Sequence, residues 1–207
     1  MSAVSDCQRK SAIILKHMIK KTFLSKVKKD LELYQKERDE IITESRQILQ
    51  NSKTAIFALH RQDNKQSAGS IKQAETILKR LNQTYNKGNR LRFEGSYKAA
   101  VEEYVEAKTF SQILAGKPLD KLEIESIGPE EYINGLADLT GELVRQAVLR
   151  ATKGDYKVLE QYRLLLEEIV GFLLTLYLTG QSRQKFDDAK RNLKRLEQII
   201  YEVKLRG

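Results

Sequence analysis

From Phe23 to about Gln62 the chain places apolar residues at helical spacing: Val27, Leu31, Tyr34, Ile41, Ile48, Ile56 and Leu59, with no glycine or proline between them. That period predicts one very long helix, suited to a bundle spine or an oligomer interface. The polar run from Asp63 to Ser70, containing Gly69, reads as a turn. A second helix is expected over Ser70 to Tyr85, on Ile71, Ala74, Ile77, Leu78 and Leu81, with Asn86 to Gly88 stopping it. After Gly95, Ser96 is placed to N-cap a third long helix. One face of that helix would carry Ala99, Glu103, Glu106, Phe110 and Ile113, while Glu102 lies off the stripe and is expected in solvent.

The stretch Ala115 to Gly128 holds Pro118 and leads into Pro129, so it is a long connection, either functional or a passive crossover. Glu130 to Arg150 then returns to helical spacing. Ile133, Leu136, Leu143 and Ala147 form an apolar stripe, and Gly135, Asp138, Glu142 and Arg145 share a neighbouring face. Gly135 and Gly141 each cost about 1 kcal/mol inside a helix, which close approach by another helix or a ligand would offset. Tyr156 to Leu178 is the most hydrophobic segment and is expected to be buried, with Gly180 ending it. Gln184 to Leu205 is a last amphipathic helix, with Phe186, Leu193, Leu196, Ile200 and Val203 on one face and Lys185, Lys190, Arg191, Lys194 and Arg195 on the other. Strand-like alternation is almost absent and Trp is missing, so the fold class is all-α, in a single domain over 1–207.

Charge narrows the partners. The formal net charge is +9, which favours a polyanion, nucleic acid first and an acidic membrane second. Residues 1–30 hold Arg9 and seven lysines against Asp6 and Asp30. Residues 1–22 therefore form a basic N-terminal arm, which is either a solvated terminus or an electrostatic contact for a phosphate backbone. The lone Cys7 cannot form an internal disulfide, which suits a reducing compartment. No signal-peptide pattern is present, and the longest apolar stretch, Ile169 to Leu178, is about half a membrane span. A cytoplasmic protein that does not insert in membranes is expected.

Candidate chemistry is confined to carboxylates. No Gly-rich phosphate loop, CxxC or GxSxG occurs, and neither His17 nor His60 follows a glutamate by three residues, as a di-iron bundle would require. His60 is expected at the surface or as a helix cap. Glu103 and Glu106 form E-x-x-E, and Asp138 and Glu142 form D-x-x-x-E. If the two helices face each other, the four acids converge on a site for Mg²⁺ or Mn²⁺, able to activate water against a phosphodiester. Ordinary salt-bridged or solvated acids are the alternative, since Glu37, Glu40 and Glu44 show similar spacing.

At these residues the chain resembles the translin family, and within it the catalytic, translin-associated factor X type. The similar segments are NSKTAIFALHR (51–61), EEYVEA (102–107), EYINGLADLTGELVRQAV (131–148), KGDY (153–156) and LEQIIYEVKLRG (196–207). The resemblance implies about seven helices in a hollow, octameric barrel, and binding of RNA (single-stranded or short duplex) or single-stranded DNA. In catalytic members it implies a Mg²⁺-dependent endoribonuclease whose four acids fall here on Glu103, Glu106, Asp138 and Glu142. Translin-type subunits lack the E-x-x-E acids, and this chain keeps them. RNA contact is implied at Lys87, Arg90 and Arg92, although the histidines that accompany this stretch in translin are absent. Arg145 would meet substrate phosphate or else pair with Glu142 or Asp138. A homo-oligomer is expected, with pairing to a translin-type subunit as the alternative.

Overall fold

A computed structural model describes residues 19–86, 89–122, 124 and 127–206. Among these residues there are seven helices and no strand: α1 (Lys21–His60), α2 (Asn64–Tyr85), α3 (Arg90–Phe93), α4 (Gly95–Leu114), α5 (Pro129–Ala151), α6 (Lys157–Leu174) and α7 (Gly180–Arg206). The all-α class and the long first helix expected from the periodicity are present. The chain divides into two units, Met1–Glu40 and Ile41–Gly207. In the first, Val27, Leu31, Leu33 and Tyr34 are exposed. In the second, α1 contributes Ile41, Ile48, Ala55, Ile56 and Leu59 to the core. Ser45 adds a buried hydroxyl, satisfied by donating to the Ile41 carbonyl at 2.7 Å.

The turn expected over Asp63 to Ser70 is shorter than its composition suggested. Gln62 takes a left-handed conformation (φ 63°) that closes α1, and Asp63 caps α2 by accepting from Gln66 N at 2.9 Å. A side-chain cap satisfies an otherwise orphaned amide, and Gly69 is carried inside α2. The third long helix starts at Gly95 with Glu94 at its N-cap, two residues before the expected cap Ser96.

α5 packs against α4, α6 and α7 and is the centre of the second unit. Pro129 opens it, and Glu130 and Glu131 in the first turn with Arg150 in the last complement the helix dipole. The connection from α4 to α5 is tied to the bundle by Tyr132, whose hydroxyl donates to Asp120 O and accepts from Leu122 N, both at 2.9 Å. Leu122 and Ile124 are buried beneath it.

α6 departs from expectation. It ends at Leu174 rather than Leu178; Leu159, Tyr162, Leu166, Ile169 and Leu173 are buried, and Val158, Leu165 and Val170 pack partly buried against the core. On the other side Leu164 and Phe172 are exposed, Leu174 is 70% exposed, and beyond the helix end Tyr177 is 97% exposed. A helix packed on one side buries only the stripe facing its neighbours, so the apolar residues off that stripe stay in solvent within a single chain. Among the described residues no helix is long and apolar enough to cross a membrane.

Candidate functional site

The site begins with a missing side chain. A Cβ built on Gly135 would lie 2.7 Å from both Val105 Cβ and Cγ1 and 2.8 Å from the Glu102 carbonyl oxygen. Only glycine lets α4 and α5 cross this closely. The close approach expected at the helical glycines is therefore met at Gly135, by a helix. At Gly141 a Cβ would find only ordinary contact with Asn192.

This crossing sets Glu103 and Glu106 of α4 against Asp138 and Glu142 of α5. Glu106 is 8% exposed. Burial, followed by the charges of Glu103, Asp138 and Glu142, pushes its carboxyl from 4.5 up to about 9. Burial also raises Glu103, opposed by Lys53 and reinforced by Asp138 and Glu142. The four acids are thus within electrostatic reach of one another. Among the described residues neither Glu103 nor Glu106 has a hydrogen-bond or ion-pair partner on its carboxylate.

The α5 acids are engaged. Lys185, at the start of α7, bonds to Asp138 Oδ2 and lies 3.0 Å from Glu102 Oε2. Burial raises the Asp138 carboxyl, and the Lys185 contact pulls against it. Burial disfavours the Lys185 ammonium, but the Asp138 and Glu102 carboxylates outweigh it and hold its pKa above the ordinary value. Glu102, expected in solvent, is buried, and its Oε1 accepts from Asn134 Nδ2 at 2.9 Å. The helix crossing covers the side of α4 that the hydrophobic stripe left for water.

His60 is the second correction. Its side chain is 4% exposed rather than at the surface. Nδ1 lies 3.0 Å from Gln146 Oε1, an acceptor, so the ring donates there. Nε2 meets Glu142 Oε2, and the ring packs on Phe110 with centroids 5.0 Å apart. No chemical motif signalled His60, Glu102 or Lys185, although His60 and Glu102 stand in the similar segments 51–61 and 102–107. A further sign was Gln146 following Glu142 by a helical turn, which puts an acid and an amide where one imidazole can bridge them.

The basic positions are scattered. Arg145 Nη1 is 3.7 Å from Glu142 Oε2, and its side chain is 52% exposed, a loose pair open to solvent. Arg92 lines a cavity of about 430 Å³ with Asn89, Phe93, Tyr97, Lys98 and the start of α5, and none of the four acids borders it. Arg90 stands on the same short helix, α3. Lys87 lies outside the described residues.

The donor set is all carboxylate oxygen, which suits a hard cation such as Mg²⁺ or Mn²⁺. The buried Glu106 is the group such a cation would satisfy. Among the described residues, however, no three His, Cys, Asp or Glu side chains already stand in ligating arrangement. Two of the acids each have one oxygen bound, to His60 and to Lys185.

Comparison with known proteins agrees with this architecture. Apo-NeC3PO superposes with a TM-score of 0.80 at 21% identity, covering 90% of this chain and 98% of that one. AfC3PO in complex with duplex RNA gives 0.81 at 24% identity, covering 88% and 97%. These likenesses show the fold. In sequence, an uncharacterized protein of Methanocaldococcus jannaschii is 28% identical over 179 residues, 82% of this chain and 79% of that protein. Translin of Gallus gallus is 32% identical over 79 residues, 38% of this chain, and the match spans only 34% of that protein. Translin of Homo sapiens is 28% identical over 116 residues, half of its length. The Translin family model matches residues 36–207, and with that match over most of its length the chain belongs to the translin family.

Proposed function

We propose that the chain is the catalytic subunit of an oligomeric, Mg²⁺-dependent endoribonuclease, binding RNA and hydrolysing phosphodiester bonds inside a helical barrel. The observation that carries this reading is the crossing at Gly135, which gathers Glu103, Glu106, Asp138 and Glu142 and leaves the buried Glu106 carboxyl without a cationic partner among the described residues. A buried carboxyl whose charge is opposed by burial and by three neighbouring acids is a candidate for a functional site. Glu103, Glu106, Asp138 and Glu142 would hold Mg²⁺ (or Mn²⁺), which when bound supplies an activated water and charge stabilisation for in-line attack. His60 orients Glu142, and Lys185 holds Asp138. Arg145, beside Glu142 and open to solvent, is placed to take a substrate phosphate. Arg90 and Arg92, on α3, are further RNA contacts by likeness to the family, and Lys87, outside the described residues, is a third such position by the same likeness.

Assembly rests on the uncovered side of α6, where Leu164, Phe172 and Leu174, with Tyr177 just beyond the helix end, offer an apolar face suited to another subunit. A closed homo-oligomer, an octamer by likeness to the family, is the reading, with pairing to a translin-type subunit as the alternative. RNA, single-stranded or short duplex, is the substrate class, and single-stranded DNA is a further ligand. A cytoplasmic location fits the lone cysteine.

A second reading is a non-catalytic scaffold for single-stranded RNA or DNA. It is favoured by the engagement of two of the four acids, Glu142 with His60 and Asp138 with Lys185, as in an ordinary ion-paired set. Labelled single-stranded RNA incubated with Mg²⁺, with and without EDTA, separates the two. EDTA-sensitive internal cleavage supports the nuclease, and binding without cleavage supports the scaffold.

A further inference from the structure

Lys185 was expected on the solvated face of the last helix, yet its side chain is 17% exposed and ends between two carboxylates. Four side chains from three helices form a chain here. Asn134 Nδ2 donates to Glu102 Oε1 at 2.9 Å. Glu102 Oε2 receives Lys185 Nζ at 3.0 Å, and Lys185 Nζ also donates to Asp138 Oδ2. Both oxygens of Glu102 are used. Among the described residues no hydrogen bond or ion pair falls on Asp138 Oδ1.

We propose that Lys185 is a positioning residue for Asp138: it fixes Oδ2 and thereby presents Oδ1 to a divalent cation. The inference rests on the reading of Asp138 as a cation ligand. An ammonium beside a ligand carboxylate would by itself neutralise the site and compete with the metal. Glu102 removes that objection. Its buried carboxylate balances Lys185, so the ammonium does not cancel the negative charge of the acids that would face the cation. Lys185 then acts as an oriented donor. Ligand carboxylates are ordinarily hydrogen-bonded in this way from outside the coordination sphere.

The fold holds the chain in place. The Glu102 carbonyl sits against Gly135, so the Glu102 side chain starts from a fixed point on α4. α7 is tied to α5 at a second place, two turns after Lys185, where Asn192 Nδ2 donates to Thr140 Oγ1 at 2.9 Å. The two ties set the register of α7 on α5, and with it the reach of Lys185.

The test uses the full chain in its native assembly and Mn²⁺ alone as probe. Free Mn²⁺ is read by electron paramagnetic resonance, without RNA or turnover. Lys185→Met keeps the stem and removes the donor. Outer-sphere partners are worth roughly 10–100-fold in metal affinity, and a weakening of that size is expected. Because this change strands Glu102, the double variant Lys185→Met with Glu102→Gln is measured beside it. It should recover the melting temperature but not Mn²⁺ affinity, whereas a merely structural role would recover both. Lys185→Arg, which restores a cationic donor, should regain most of the affinity. Should Lys185→Met fail to fold, the double variant decides. Mn²⁺ bound as tightly as, or more tightly than, in the parent by the double variant would overturn the proposal. A parent that binds no Mn²⁺ removes the cation-ligand reading and this inference together. A parent that binds it, with unchanged variants, removes this inference alone.

Discussion

Replacing Glu106 with glutamine should stabilise the metal-free protein at neutral and alkaline pH. The carboxyl ionises near 4.5 in an unfolded chain and near 9 in the folded one, because burial and then Glu103, Asp138 and Glu142 disfavour its charge. Between those values the unfolded state holds fewer protons than the folded state, so stability falls as pH rises. Each pH unit costs up to about 1.4 kcal/mol. From pH 4.5 to 7 the loss comes to about 3 kcal/mol, and it is complete only above the folded value. Glu106→Gln keeps the shape and cannot ionise, so it escapes this loss. The gain should be near zero at pH 4.5 and largest above pH 8, read as thermal melts in EDTA at roughly 2–4 °C per kcal/mol. The same carboxyl must lose its proton to bind a cation. Mn²⁺ affinity of the parent should therefore rise up to about tenfold per pH unit between pH 7 and 9. A Glu106→Gln protein that melts at or below the parent at pH 8 in EDTA would refute the reasoning, since it would place the carboxylate in a stabilising pair.

Gly135→Ala should cost about 1–3 kcal/mol in urea denaturation and weaken Mn²⁺ binding, because its Cβ meets Val105 and the Glu102 carbonyl; unaltered stability would show that the helices separate freely. His60→Phe keeps the packing on Phe110 but strands Gln146 Oε1 and leaves Glu142 Oε2 only the loose Arg145 contact, at about 1–3 kcal/mol in the same assay; no loss would mean that the pairing contributes nothing. Arg145→Ala should weaken RNA binding in EDTA and lower the slope of log affinity against log salt by about 1, measured by fluorescence anisotropy; an unchanged slope would remove Arg145 from the phosphate path. Light scattering should show an assembly many times the 23.9 kDa chain mass, and Leu174→Asp should shift it toward smaller species; a stable monomer at micromolar concentration would remove the barrel.

Helix content and most helix ends were legible in the sequence because their causes are local. The glycine-free run before His60 and Pro129 at the start of α5 act through residues a turn or two apart, as periodicity and capping require. The misjudged turn near Asp63 was a contest between two local signals, in which the cap at Asp63 outweighed the glycine at position 69. The four acids stood out by spacing on their own helices, and Gly135 announced a close contact. Which groups those acids meet was not legible. Glu102 reads as solvated until α5 covers it, His60 as surface until Glu142 and Gln146 arrive from 82 and 86 residues away, and Lys185 as one more lysine until it reaches Asp138 from 47 residues away. The apolar side of α6 likewise reads as core, and only the packing shows which half of it one chain can cover. Periodicity reports the angle of a side chain around its own helix. Burial and charge pairing depend on what another helix brings to that angle, and for this protein the crossing at Gly135 and the register of α7 decided it.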